Sequence, residues 1–316
     1  MAQMTGEKSA KQKNAIIELL RFIFALWVVK HHLYFPIDTG EFFLDGFLAV
    51  EFFFILSGYL FIPIVLKYDK MESLIKTFPK YLFHRIKGFG LPFLIGVGFS
   101  TYYMIISKGD DWLGFQWFIV SLLLALSVFF IVYRFIKKPW QWTIVALICI
   151  AVYFGVRFGI GGDRGEGAAY YLRAFYCVSC GICVFYLPKI QNDLKLKKLI
   201  IPLFIFIFLA VIALMALKKN LAMQYILISL FFPLVYLGFQ IEIKNPYVKQ
   251  FFIYLGSLSF GLYMFQNVVR IPEFYGKDIP TLYEFLVILT MSMCFSKISP
   301  FYKKKKTNGL DARIER

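Results

Sequence analysis

Residues 15–35 read AIIELLRFIFALWVVKHHLYF. The stretch is long enough for a membrane-crossing helix, which needs roughly 20 residues at about 1.5 Å each. It is also unusually polar for one, because it holds Glu18, Arg21, Lys30, His31 and His32. Ionisable groups are costly in hydrocarbon, so such residues face a protein interior or a polar cavity. Arg21 and His32 are 11 positions apart. That is about three helical turns, so the two share one face, with His31 about 80° away and Lys30 about 180° away. The first helix therefore presents a guanidinium within its length and an imidazole near its far end.

The rest of the chain extends this reading. Of its 316 residues 59% are hydrophobic, with 38 Phe and 20 Tyr, against roughly 45–50% apolar content in soluble domains. Mean hydropathy is +0.67. Repeated apolar runs near 20 residues predict an all-α, polytopic membrane protein. Its ten transmembrane helices are expected near 15–35, 48–66, 88–106, 115–133, 140–158, 169–188, 199–217, 222–240, 250–270 and 279–297. The first run is too long for a cleavable signal peptide and lacks a small-residue cleavage pattern after it.

The net charge of +16 would suggest nucleic acid in a soluble chain, but its distribution points elsewhere. Ten spans return both ends to one side. That side holds clusters such as Lys76, Lys80, Arg85 and Lys87, or Lys195, Lys197 and Lys198, and the Lys-rich tail. The other side has only Lys108, Arg157, Arg164, Lys218, Lys219, Arg270 and Lys277. The bias puts both termini in the cytoplasm and favours contact with anionic lipid. Residues 1–14 and 298–316 read as basic cytoplasmic tails around a 15–297 transmembrane domain. No internal repeat and no second soluble domain is legible.

Several residues stand out along the chain. Glu51 opens the second span, VEFFFILSGYLF, at about the depth of His32. It reads either as an interfacial carboxylate in headgroups or water, or as a partner of His32 or an acceptor contact. Ser57 and Gly58, deeper in, permit close helix approach. Residues 67–87 form a basic segment expected to be partly an amphipathic interfacial helix. Gly88, Gly90 and Pro92 are expected to break or kink the start of the third span. Gln116 and Trp117 sit at the outer interface, and a Gly-rich loop follows the fifth span. Arg173 has no obvious local partner. Cys177, Cys180 and Cys183 space like metal ligands, yet one helix turn with no neighbouring His or acid reads as small buried thiols; no metal is expected. Spans seven and eight read as apolar scaffold. Ser257, Ser259, Tyr263, Gln266 and Asn267 make the ninth span the most polar late one.

No G-x-S-x-G elbow and no H-E-x-x-H motif is present. His31 and His32 are the only imidazoles within the spans. An imidazole takes a proton near neutral pH, which suits activation of an attacking hydroxyl. It equally suits a structural or proton-relay role, so the residues alone leave enzyme and transporter both open.

In order along the chain, LLRFIFALWVVKHH, LAVEFFFILSGYLF, FQWFIVSLL and LGSLSFGLYMFQ resemble the motifs of the integral-membrane acyltransferase 3 family. The resemblance implies a ten-span O-acyltransferase of cell-surface glycans. It takes an acyl group, most often acetyl from acetyl-CoA, as a donor substrate and has no permanently bound cofactor. The family's first-span Arg and His fall on Arg21 and His32. By that resemblance His32 deprotonates the acceptor hydroxyl, Glu51 holds the acceptor, and Arg21 stabilises the donor or orients the helix. Arg85 and Lys87 attract the donor phosphates, and Gln116, Trp117, Tyr263 and Gln266 line the acceptor site. The acceptor is a sugar hydroxyl on an exported or lipid-linked polysaccharide, with no nucleic acid involved. A related branch is associated with polysaccharide export, which gives a transport component as the alternative. The chain departs from the pattern at Gly88, where a second Arg is usual, at Ala49, where a Gly is usual, and at Gln266, where a late His is usual. Gln266 keeps hydrogen bonding but cannot act as a base at neutral pH.

Overall fold

Backbone N–H and C=O groups have no water to bond in hydrocarbon, so an apolar chain of this kind satisfies them within helices. The computed structural model describes residues 13–32, 46–68, 72–107, 117–159, 168–190, 194–217, 221–266 and 281–298. Among these residues every regular element is helical. The order is α1 (Ala15–His32), a 3₁₀ turn (Gly46–Leu48) leading into α2 (Ala49–Val65), α3 (Leu74–Ser107), α4 (Trp117–Tyr133), α5 (Gln141–Gly159), α6 (Ala168–Phe185), α7 (Leu194–Ala216), α8 (Leu221–Gln240), α9 (Pro246–Phe265) and α10 (Thr281–Ile298). The chain is an all-α membrane protein.

Local chemistry sets several ends. Asn14 caps α1: its Oδ1 accepts from the amide of Ile17 at 3.1 Å, while its Nδ2 donates to the carbonyl of Ile241 at 3.2 Å. Asn245 caps α9 by accepting from the amides of Tyr247 and Val248, with Pro246 in the first turn. Both use side-chain oxygens to satisfy amides that a helix start leaves unmet.

One boundary differs from expectation. The third span was expected to begin at Gly88 after a break, yet α3 is continuous from Leu74 to Ser107. Pro92 removes one intrahelical donor, and a single lost bond need not end a helix held by the bonds around it. The 67–87 segment is therefore not a separate interfacial helix; from residue 74 onward it is the first part of α3.

Packing identifies the centre. The span that includes α2 is 67% buried, whereas those in α5 and α7 are only 17% and 22% buried. So α2 is surrounded by protein. By contrast, α5 and α7 turn large side chains such as Leu147, Ile148, Phe206 and Leu209 outward, as a lipid-facing wall requires. These spans and that of α8 are long and apolar enough to cross a membrane.

The tightest crossing is α2 on α6. A Cβ at Gly58 would collide with the carbonyl of Val178, and one at Gly181 with the carbonyl of Ile55. Two glycines thus let backbones meet directly, the small-residue contact expected of Gly58. Cys177 is fully buried at this seam, while Cys180 and Cys183 are half-buried. A second seam joins α1 to α9, where a Cβ at Gly256 would strike Glu18. Along it Ala25 and Val29 pack with Leu258, Leu262 and Phe265. The expected scaffold role of spans seven and eight holds in part: Phe231 of α8 packs edge-on against Phe24 and Phe52 in the core.

Candidate functional site

The functional residues expected from sequence separate to two ends of the bundle. At one end Asn14 meets Ile241, and Arg134 of α4 meets the start of α3. At the other, the end of α1 meets the 3₁₀ turn, and the first turns of α2, α4 and α6 come together.

The second end is built around Glu51. Its side chain is fully buried, and Oε1 accepts a charge-assisted bond from Nη2 of Arg173. Glu51 is thus not an interfacial group exposed to water, and its ion-pair partner among the described residues is Arg173 of α6. The sequence offered a signal for this pair: an unpartnered acid and an unpartnered guanidinium in two apolar spans balance one another. Nothing local could reveal it, since 122 positions separate them. The guanidinium lies between two aromatic rings, 5.6 Å from the centroid of Phe47 and 5.5 Å from that of Trp117. Such faces attract a cation. The other carboxylate oxygen, Oε2, is buried and meets no hydrogen-bond partner among the described residues.

Trp117 leads into an aromatic row. Its ring is 6.1 Å from Phe54, Phe54 is 4.9 Å from Phe118, and Phe118 is 5.2 Å from Tyr263. Gln266, one turn beyond the end of that row on α9, is 1% exposed, and its Oε1 also lacks a partner among the described residues. Trp117, Tyr263 and Gln266 therefore come to the same end as Glu51. Gln116 lies outside the described residues.

On α1 the structure corrects the expected setting of Arg21. Arg21 Nη1 bonds Glu18 Oε2 at 2.8 Å, and the guanidinium side chain keeps 28% of its surface exposed. Glu18 stands against Gly256, so this pair belongs to the α1–α9 seam. The helix is unbroken from residue 15 to residue 32. By register, position 32 continues the stripe of 18, 21, 25 and 29 that faces α9. Its side chain lies outside the described residues. His31 is exposed, with its ring 5.9 Å from Phe47 and its Cβ against the site of Gly46.

The first end holds Arg85, which was expected to meet the donor. Tyr81 is buried and stacks on Phe130 at 4.2 Å. Its hydroxyl donates to the carbonyl of Leu126 and accepts from Nε of Arg85 at 3.2 Å. Burial pushes the Tyr81 phenol above its usual range, while the Arg85 charge pulls the other way. Nη2 of Arg85 is buried and has no partner among the described residues. Sequence reasoning passed over Arg134, which donates to the carbonyl of Glu72 and the hydroxyl of Thr77 and lies 5.7 Å from the Phe130 ring centroid. The side chain of Lys87 lies outside the described residues.

A buried carboxylate oxygen at one end and a buried guanidinium nitrogen at the other provide an acceptor of hydroxyl protons and a donor to anions. A family model described as an acyltransferase domain, that of acyltransferase 3, matches residues 14–298. The chain belongs to the acyltransferase 3 family. No curated protein and no solved structure matches it. The family match runs from the Asn14 cap of this acyltransferase to the last residue of α10, so both ends of the bundle fall within the matched domain.

Proposed function

We propose that this acyltransferase moves an acetyl group from acetyl-CoA to a sugar hydroxyl of an exported or lipid-linked surface polysaccharide. The observation that carries the reading is the family match across 14–298. The separate anion-suited and hydroxyl-suited ends support it. In this reading the chain crosses the cell membrane ten times, with the 1–14 and 298–316 tails in the cytoplasm. Donor phosphates engage Arg85 and Lys87. The acceptor lies near Glu51, Trp117, Tyr263 and Gln266. His32 takes the proton of the acceptor hydroxyl as its oxygen attacks the thioester carbonyl. The carbon–sulfur bond then breaks, and the proton passes to the departing thiolate, leaving an ester and free CoA.

The deciding test is acetyl analysis of the surface glycan from a deletion strain, with and without the restored gene. Restored O-acetylation supports transfer. Lost glycan export, with no acyl group on the wild-type product, would instead favour the transport reading.

Two further expectations arise here. A single cysteine at position 162 should react with an impermeant thiol reagent in intact cells, and one at 307 should not, in a background lacking the five native cysteines. The reverse labelling would overturn the orientation. Replacing both Arg85 and Lys87 with Gln should raise the KM for acetyl-CoA while the protein still inserts. A lost hydrogen bond to a charged group costs about 1.5–3 kcal/mol, which corresponds to roughly tenfold to a hundredfold. An unchanged donor KM in membranes would assign these charges to lipid or topology.

A further inference from the structure

Arg173 has no part in the acyl-transfer scheme above, yet it is a buried cation held by a carboxylate and two aromatic rings. It is 5% exposed and bonds Oε1 of Glu51, and its guanidinium is flanked by Phe47 and Trp117. Those contacts reach Arg173 of α6 from two other places in the chain: the 3₁₀ turn with α2, and the start of α4. A guanidinium is planar and gives its bonds in a fixed fork. The two neighbouring rings limit the room in which it can move, so the carboxylate it holds is restricted too.

The consequence falls on the other oxygen. With Oε1 taken, Glu51 keeps Oε2, which is buried and unpartnered among the described residues. A buried polar atom without a partner is costly and calls for an explanation. A carboxylate paired with an arginine has lone pairs to offer there, so the ligand it suits is a hydroxyl donor. A merely structural ion pair would be better served by satisfying both oxygens.

We propose that Arg173 is a positioning residue: its guanidinium, beside Phe47 and Trp117, holds Oε1 of Glu51 and so aims Oε2 at a hydroxyl of the acceptor glycan. The inference rests on the acyl-transfer reading for its choice of ligand. It assigns Arg173 no contact with the reacting atoms. Arg173 acts through Glu51, and the expected signature is a change in acceptor affinity with donor affinity preserved.

The test uses the full chain and two readouts. The probe is surface glycan extracted from a strain deleted for the gene, tritium-labelled for binding. One readout is glycan retained by the purified protein in detergent; the other is the pair of KM values for glycan and acetyl-CoA in membranes. The variants are Arg173→Lys, which keeps the charge but loses the fork, and the double variant Glu51→Gln/Arg173→Gln. The double variant removes both charges together, so it avoids the unpaired buried charge that would unfold a single Arg173→Gln.

Both variants are expected at near wild-type abundance, with glycan binding weakened about tenfold or more, the scale of one charged hydrogen bond, and with the acetyl-CoA KM unchanged. Wild-type glycan binding in Arg173→Lys would overturn the positioning role. So would full recovery of glycan binding in the double variant, which would make the pair structural. Equal shifts in both KM values would also overturn it, and so would wild-type protein that retains no glycan. The outcomes separate this inference from the reading beneath it. Glycan held by the wild type and lost by the variants, with no acetyl transferred, would sink the transfer reading alone. Transfer that proceeds with unaltered variants would sink only the role of Arg173.

Discussion

Replacing His32 with Ala is expected to lower glycan O-acetylation by about 10²–10⁴-fold at normal membrane abundance, the usual contribution of a general base. His31→Ala is expected to retain a substantial fraction. The two histidines are neighbours, but a helix sends neighbours about 100° apart. His31 is exposed beside Phe47. Position 32 continues the stripe of Glu18, Arg21, Ala25 and Val29 along the α9 seam, and α9 ends at the buried Gln266. Because Gln266 stands where the resemblance expects a second histidine, no neighbouring imidazole there replaces a lost base. Arg21→Ala is less diagnostic, since it breaks the 2.8 Å pair with Glu18 at the Gly256 contact and so alters packing as well. The measurement is acetyl incorporated into native glycan, normalised to folded protein. Wild-type incorporation by His32→Ala would remove the proposed base.

The second large effect is on folding. Gly58→Leu and Gly181→Leu should each strip most of the folded protein from the membrane. At both positions a side chain would meet the facing backbone carbonyl, that of Val178 or of Ile55. Overpacking a core costs about 1–3 kcal/mol where side chains can give way. Here the obstacle is backbone, so relief requires α2 and α6 to separate. Separation would also pull Glu51 from Arg173, about two turns away along the same seam. Gly155→Ala in α5 is the control, because nothing lies within 4 Å of the Cβ it would add. Losing a helix-interior glycine there should be neutral or stabilising by about 0.5–1 kcal/mol. The readout is the fraction of protein that stays monodisperse in detergent after a heating series. Gly58→Leu matching the Gly155→Ala control would show that the two helices are not so closely set.

How much of this was legible beforehand depends on the range of the interaction. Helix existence is a local property. Apolar runs, the Asn14 and Asn245 caps and the hydrogen-bonding demand of hydrocarbon act within a few residues, and the observed helices begin and end close to the expected limits. The start of α3 is the exception. Gly88, Gly90 and Pro92 weaken a helix locally, but the bonds on either side carry it through. Residue faces are local too, so the shared stripe of Arg21 and position 32 could be read from spacing alone. The motif order pointed to the family for the same reason: each motif sits within one short segment.

Partners were a different matter. The fate of Glu51 turned on Arg173, 122 positions away, and that of Arg21 on Glu18 together with a glycine of α9. Periodicity places a side chain on a face, but it does not say which helix covers that face. Here the choice followed from Gly58 and Gly181, which let α2 and α6 close to backbone contact and bring their first turns together. Sequence by itself determined an all-α membrane chain of acyltransferase 3 character and the faces of its polar residues. Only the tertiary structure decided which charges neutralise one another and which oxygen of Glu51 has no partner among the described residues, because those outcomes depend on helix-to-helix distance, which no local interaction sets.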